Sequence, residues 1–144
     1  MKKVPKILFL ILMILLIYPK SIFTQVNSNS EIDKIFASFE NGIRTGAIKE
    51  FSNNIVSETY ICLESGKSAY YSSSQTYYIL KDFLQNYKPI SFKLISTNNN
   101  GEKPFAIGKF VYSKNGIRGE SQVFMALKRE NDSWKISQII ITND

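Results

Sequence analysis

The sequence contains no histidine among its 144 residues. Histidine transfers protons near neutral pH, activates serine and cysteine nucleophiles, and ligates zinc. Its absence removes the commonest hydrolytic and zinc-dependent mechanisms. Catalysis by this chain would therefore depend on carboxylates, tyrosine, lysine or a bound cofactor.

The motifs that resemble binding sites are better explained as structural elements. The single cysteine, Cys62, cannot form an internal disulfide, and its strand-like surroundings favour a small buried hydrophobe. The run Ser65–Ser68 is similar to the end of a phosphate-binding loop, but Ile61 stands where that motif requires glycine, so we predict a turn. There is no calcium-loop spacing and no Gly-x-Gly-x-x-Gly run, so we expect no metal and no cofactor.

The N-terminal segment is typical of a secretory signal peptide. Lys2, Lys3 and Lys6 precede an unbroken apolar run, residues 7–18, which is too short to span a bilayer comfortably. We predict a signal over residues 1–24, with cleavage between Thr24 and Gln25, although no Ala-x-Ala triplet marks the site. The protein is then expected in the periplasm or outside the cell. An uncleaved signal that anchors the chain to the membrane is the alternative.

The charge of the chain lies largely in that segment. The whole sequence has 18 basic and 12 acidic residues, and four of the lysines lie in the first 24 residues. The remainder carries a net charge of only +2, so we expect no binding to nucleic acid. It is long enough for one domain with its own core.

Two helices are predicted. The first follows a polar leader, residues 25–30, begins with Ser30 as its N-cap, and ends at Gly46. The second begins with a capping box of Ser72 and Gln75 and stops before Pro89. Mainly apolar residues recur at helical spacing in both, which predicts one buried stripe for each: Ile32, Ile35, Phe36, Phe39 and Ile43 in the first; Thr76, Ile79, Leu80, Phe83, Leu84 and Tyr87 in the second.

Strands dominate the rest of the chain. Asn115-Gly116 is a strong two-residue hairpin signal. One strand is predicted before the second helix and an antiparallel meander of four strands after it: Ile55–Leu63, then Ile90–Thr97, Pro104–Ser113, Gly119–Arg129 and Ser133–Thr142. This order indicates an α+β domain over residues 31–142, with the helices on one face of the sheet.

The meander strands are apolar on both faces. Val123, Met125 and Leu127 alternate with Phe124 and Ala126. Because the helices cover one face only, the other face needs a second cover. We therefore expect a homodimer that forms through the outer face of the sheet.

The order of elements resembles the nuclear transport factor 2-like fold, a curved antiparallel sheet wrapped around helices into a cone. Five short motifs are similar to the domain-of-unknown-function 4783 (DUF4783) family of small exported proteins, chiefly of the Bacteroidetes group, over residues 31–142. They are Tyr71-Ser72-x-x-Gln75, Ile79-Leu80-x-Asp82-Phe83, Pro89-x-Ser91-Phe92, Ala106-Ile107-Gly108 and Trp134-x-Ile136. The resemblance implies a fold and a compartment, without a reaction or catalytic residues.

Two functions are compatible with that resemblance. The first is a non-catalytic binding or assembly module, in which an apolar pocket between the sheet and the long helix takes a small apolar ligand. Its expected lining is Tyr60, Phe83, Phe92, Phe105, Ile107, Phe124 and Trp134, although these residues could equally fill an ordinary core. The alternative is an isomerase- or dehydratase-like enzyme that uses a carboxylate and a tyrosine, as some relatives of this broad fold do. Its candidate residues are Glu40, Glu58, Lys109 and Glu120, whose simpler interpretation is solvated charge.

Overall fold

The computed structural model describes the backbone of residues 21–143 and the side chains of residues 30–143. Most of the segment predicted as a signal peptide lies outside these residues. Within the described part, no helix is both long and apolar enough to cross a membrane.

The described chain contains two α-helices, two short 3₁₀ turns (Ile48–Glu50 and Ser52–Asn54) and six strands. The helices are α1 (Ser21–Thr45) and α2 (Ser73–Asn86). The strands are β1 (Ile55–Leu63), β2 (Ser68–Ser72), β3 (Lys88–Asn98), β4 (Phe105–Lys114), β5 (Ile117–Glu130) and β6 (Ser133–Thr142). Strand β2 was not predicted from the sequence.

The six strands form one sheet in the order β2-β1-β6-β5-β4-β3. Strands β3 to β6 are the predicted antiparallel meander, and β1 and β2 form an antiparallel hairpin. The two parts join through β1 and β6, which run parallel. The sheet is therefore mixed, which corrects the expectation of a wholly antiparallel one. A long connection makes this parallel pair possible, because β2, α2 and the first three meander strands lie between its members.

Helix α1 begins before the predicted N-cap. Its backbone is helical from Ser21, through the predicted leader, so Ser30 lies inside the helix. A capping residue marks where a helix can begin, but it does not stop a helix that extends further toward the N-terminus. The helix ends as predicted, because Gly46 adopts a φ of 74°, which terminates the last turn. The predicted apolar stripe is buried: Ile32, Ile35, Phe36, Phe39 and Ile43.

Helix α2 has the predicted capping box. The backbone N–H of Gln75 donates to Ser72 Oγ at 3.3 Å, and the N–H of Ser72 donates to Gln75 Oε1 at 3.0 Å. These two bonds satisfy donors that the first turn would leave unpaired. The predicted stripe again faces the core, with Ile79 partly exposed at its edge.

Aromatic rings fill the space between the helices and the inner face of the sheet, which is the face that the helices cover. Phe39 of α1 makes edge contacts with Phe51, at a centroid distance of 5.0 Å, and with Phe92 of β3, at 5.9 Å. Phe92 in turn lies 6.4 Å from Phe110 of β4. The rings therefore form one continuous packed layer from helix to sheet.

Gly108 allows this layer to form. A Cβ atom at this position of β4 would lie 2.5 Å from Cε2 of Phe92 and 3.0 Å from the carbonyl oxygen of Lys93. The ring of Phe92 therefore packs directly on the backbone of β4, which only glycine permits. This explains the glycine in the Ala106-Ile107-Gly108 motif.

Three glutamates satisfy backbone N–H groups that the ladders of the sheet leave unpaired. Glu40 Oε2 accepts from the N–H of Leu94 at 2.9 Å, next to a register shift in β3. Glu31 Oε1 accepts from the N–H of Trp134 at 3.1 Å. Glu130 accepts from both the N–H and the hydroxyl of Ser57, at 3.2 and 2.8 Å, within a shifted part of the β1–β6 pairing. These acids have structural roles that tie helix to sheet or strand to strand.

Candidate functional site

The seven predicted lining residues lie on opposite faces of the sheet. Phe83, Phe92 and Trp134 are buried in the core beneath the helices. The other four are half-buried on the outer face, because they alternate along their strands with buried core residues: Tyr60, Phe105, Ile107 and Phe124. The seven therefore line no common pocket, and the three inner residues pack within the core cluster.

The four outer residues belong to a larger apolar surface. The strand register places Cys62, Ile140, Phe124 and Ile107 in one row across β1, β6, β5 and β4. A neighbouring row runs through Tyr70, Tyr60, Gln138, Ala126 and Phe105. We call the apolar members of these rows the outer band: Tyr60, Tyr70, Phe105, Ile107, Phe124, Ala126 and Ile140.

Two ring pairs give the outer band its shape. Phe105 and Phe124 stack at a centroid distance of 5.8 Å with an interplanar angle of 27°. Toward the β2 edge, Tyr60 and Tyr70 are directly opposite each other, with centroids 5.2 Å apart. Tyr70 is 66% exposed, a large fraction for an aromatic residue. The band thus offers aromatic and aliphatic groups to solvent over four strands and part of a fifth.

Charged residues border the outer band on both sides. On one side Lys93 lies opposite Lys109, which forms an ion pair with Glu120 at 2.7 Å. The hydrogen bond from Lys109 lowers the pKa of the Glu120 carboxyl. On the other side Lys128 lies opposite Lys135. An apolar centre with a polar, charged border is the usual anatomy of a protein–protein interface.

A cleft of about 610 Å³ opens at the β2 end of the outer band. Tyr60, Tyr70 and Ile140 of the band line it together with charged and polar residues, including Glu58, Lys103 and Lys128. The band is therefore continuous with a concave surface, which a partner could enter.

The four acid–base candidates do not converge on one site. Glu40 accepts a hydrogen bond from a backbone N–H of β3 beneath the helices. Lys109 and Glu120 pair with each other on the exposed outer face, and Glu58 lies at the cleft at the far end of that face. Within the described residues, no group of three or more acids or cysteines is arranged to hold a metal ion.

The structure brings together a second group of polar residues that was not predicted from the sequence. Glu64, Tyr87, Tyr112, Lys114 and Ser121 meet at one end of the inner face, beyond the apolar core. The alternation of side chains along β4 and β5 predicts that three of these residues point to the inner face. Tyr112 and Lys114 follow Phe110 at two-residue spacing on β4, and Ser121 precedes Val123 and Met125 at the same spacing on β5. Periodicity thus predicts their face, but only the tertiary fold brings Glu64 and Tyr87 beside them.

The comparisons with known proteins place this geometry in a family. The family model described as domain of unknown function (DUF4783) matches residues 36–142, and the chain therefore belongs to that family. This confirms the resemblance noted from the sequence motifs. A search of curated proteins found no match.

Solved structures show the same fold at low sequence identity. A DUF4783 family protein from Bacteroides ovatus is 20% identical, with a TM-score of 0.66 over 75% of this chain and 94% of that chain. A designed protein of the nuclear transport factor 2-like type is 18% identical, with a TM-score of 0.61 over 78% of this chain and 97% of its own. A protein from Xanthomonas campestris, described as a candidate calcium/calmodulin dependent protein kinase II association domain, is 14% identical, with a TM-score of 0.59 over 79% and 86%. The predicted cone-shaped α+β fold is confirmed.

Proposed function

We propose that this protein is an assembly module that pairs with a second copy of itself through the outer band. The observation that carries the proposal is the band itself, a continuous apolar surface on the sheet face that neither helix covers. Soluble proteins rarely leave a contiguous apolar surface of this kind in water, and such patches usually mark interaction sites.

A second copy is the occupant that this surface fits best. A two-fold pairing places the same apolar strip on both partners, so apolar groups of one copy are buried against apolar groups of the other. The charged borders remain at the rim, where they stay hydrated. The structural neighbour described as an association domain has the same fold, which is in keeping with an assembly role on this scaffold.

The packed interior gives less support to a ligand-binding or catalytic role inside the cone. The inner candidates Phe83, Phe92 and Trp134 all belong to one cluster of buried core residues. Glu40, the acid candidate nearest to that core, already accepts a hydrogen bond from the backbone. The proposal therefore concerns the outer face of the sheet.

Charge substitutions on β5 test this function. Phe124→Lys and Ala126→Glu each place a charge in the outer band, where its desolvation opposes pairing. Tyr78→Lys is the matched control, because Tyr78 is a 66% exposed aromatic residue on α2, away from the sheet face. Light scattering should show dimers for the unmodified protein and for Tyr78→Lys, and monomers with unchanged circular dichroism for the two β5 variants.

Two outcomes contradict the proposal. If both β5 variants remain dimeric, the interface lies elsewhere. If the unmodified protein is a monomer at high micromolar concentration, the outer band has no self-pairing role.

We further propose that the protein is exported and that its mature chain begins near Gln25. The basic residues followed by a short apolar run support this proposal. Intact-mass analysis of the protein from its native envelope tests it. A mass that includes residues 1–24 would show that the segment stays attached as an anchor.

A further inference from the structure

The tip of the β4–β5 hairpin holds an isoleucine in water. Ile117 is 74% exposed, the largest fraction for a large hydrophobic residue in the part of the chain that the structure describes. It is paired with Lys114, and the two-residue turn Asn115-Gly116 joins them. Both turn residues have a positive φ, 53° and 80°, as a tight hairpin turn requires. The turn therefore fixes Ile117 at the tip.

This hairpin extends past its neighbouring strands. Thr142, the last residue of β6, lies opposite Gln122, so residues 117–121 of β5 pair with β4 alone. At about 3.3 Å per residue, this stretch reaches about 16 Å beyond the end of β6. On the other side β3 begins at Lys88, opposite Ser113. The tip is therefore the outermost part of this end of the sheet.

Three cations lie around the exposed isoleucine. Lys88, Ser113 and Arg118 are opposite one another in one row across β3, β4 and β5, and Lys114 is the residue paired with Ile117. The three charged side chains are all exposed. The tip thus presents an apolar side chain among positive charges.

The groups near the tip leave these cations able to bind an anion. Lys114 Nζ donates to the neutral Tyr87 hydroxyl at 2.6 Å, and this hydrogen bond raises the pKa of Lys114, so its ammonium stays charged and has further protons to donate. The nearest acid along β5, Glu120, forms an ion pair with Lys109 at 2.7 Å. The charge of Glu64 acts on Lys114 and offsets one of the three cations. A net positive charge therefore remains at the tip.

A cleft of about 330 Å³ lies at the hairpin tip. Gly119 lets the Tyr112 ring pack directly on the backbone of β5, since a Cβ atom there would lie 2.5 Å from Cζ of the ring. The ammonium of Lys114 and the guanidinium of Arg118 are hydrogen-bond donors only, and both groups bind phosphate. The cleft is lined by Tyr112, Lys114, Asn115, Ile117, Arg118 and Gly119.

We infer that the hairpin tip binds the surface of an anionic phospholipid bilayer. The phosphate of one lipid lies between Lys114 and Arg118, and Ile117 enters the boundary between headgroups and acyl chains. A bilayer offers negative charge and apolar surface together, whereas a soluble phosphate leaves the isoleucine in water. The inference goes beyond the proposed dimer, because none of these residues belongs to the outer band.

Tryptophan fluorescence at the tip tests this inference. Ile117→Trp keeps an apolar residue there, and its emission moves to shorter wavelength when the indole leaves water. The matched control is Ile95→Trp, because Ile95 is a 64% exposed isoleucine on β3, away from the tip. Trp134 is 6% exposed and gives the same background in both variants. The protein is recovered from its native envelope, so that it has its natural N-terminus.

Two kinds of vesicle and the free headgroup are the probes. Vesicles of phosphatidylglycerol and phosphatidylcholine should shift the emission of Ile117→Trp in a saturable manner and leave Ile95→Trp unchanged. Vesicles of phosphatidylcholine alone should bind at least about tenfold more weakly, since each cation gains about fivefold at an anionic surface. Glycerol phosphate, at the phosphate concentration of the vesicles, should not reverse the shift, because it has no apolar surface.

Charge variants in the Ile117→Trp protein make the test specific. Arg118→Gln and Lys114→Gln each remove one exposed cation and should raise the half-saturating lipid concentration about fivefold, with unchanged circular dichroism. Lys103→Gln is the matched control, because it removes an exposed lysine from the loop at the other end of β4, and it should change nothing.

Several results would overturn the inference. An equal shift in Ile95→Trp would mean unspecific adsorption, and equal binding to phosphatidylcholine alone would mean that the cations have no role. Reversal by glycerol phosphate would identify a soluble phosphate as the ligand. Unchanged half-saturation in both Arg118→Gln and Lys114→Gln would exclude the cleft as the headgroup site.

Discussion

Phe105 and Phe124 stack against each other on the outer face of the sheet, with their ring centroids 5.8 Å apart. They lie on adjacent strands, β4 and β5, and their pairing is diagonal, since Phe105 is opposite Ala126 and Phe124 is opposite Ile107. The helices cover the other face of these strands. The pair therefore lies at the β4 end of the outer band, the apolar surface through which we propose that two copies of the chain pair.

The thiol of Cys62 should report on the same surface. Cys62 is half-buried and lies opposite Ile140, at the margin of the outer band. If two copies pair through the band, its reaction with a thiol reagent should slow as the protein concentration rises. The Phe124→Lys variant, which should stay monomeric, serves as the control. A rate independent of concentration in the unmodified protein would place Cys62 outside the interface.

Phe83 of α2 should be a major contributor to stability. It is 3% exposed and stacks on Tyr87. Its replacement by alanine removes a buried ring and leaves a cavity, so the free energy of unfolding should fall by about 3–5 kcal/mol. Urea denaturation measures this loss, with Tyr78→Ala on the same helix as the exposed control. A loss below about 1 kcal/mol would mean that Phe83 is not a core residue.

Gly108 should not tolerate even one additional methyl group. A Cβ atom there would lie within 2.6 Å of two carbons of the Phe92 ring. Gly108→Ala must therefore displace the ring or the strand, and the expected loss is about 1–3 kcal/mol. Ser113→Ala, on the same strand, is the control in the same urea experiment. Unchanged stability in Gly108→Ala would show that the ring of Phe92 can move at no cost.

The Glu130–Ser57 contact should make stability depend on pH. Hydrogen bonds from the side chain and the backbone of Ser57 hold the pKa of Glu130 below its usual value. A carboxyl whose pKa is lower in the folded state than in the unfolded state stabilises the fold above its unfolded value, about 4.3. That contribution disappears as the pH falls through the folded value.

Glu130→Gln should therefore lower the melting temperature at pH 7 and reduce its fall upon acidification. Glu102→Gln, in the exposed loop before β4, is the control. If the melting curves of Glu130→Gln and the unmodified protein differ equally at pH 7 and at pH 3, the contact with Ser57 does not depend on the charge.

Local sequence signals predicted much of the fold. The capping box of Ser72 and Gln75 identified the start of α2, and the hairpin signal Asn115-Gly116 identified the β4–β5 turn. Alternation identified the four strands of the meander. Strand β2 was missed because it has only five residues, and it is stabilised as a strand by its pairing with β1.

The candidate site was harder to predict, because alternation separates two faces without saying which one the helices cover. The register shifts in β3 and between Ala126 and Leu127 add to the difficulty, since each reverses the alternation along a strand. The contact between Glu64 and Ser121 joins residues 57 positions apart, and nothing in the local sequence connects them.

Sedimentation equilibrium of the unmodified protein from low to high micromolar concentration tests the central proposal most directly. We expect a reversible monomer–dimer equilibrium that reaches twice the chain mass at high concentration and is abolished by Phe124→Lys. A single chain mass over the whole range would contradict it, because the outer band would then be stable in water without a partner.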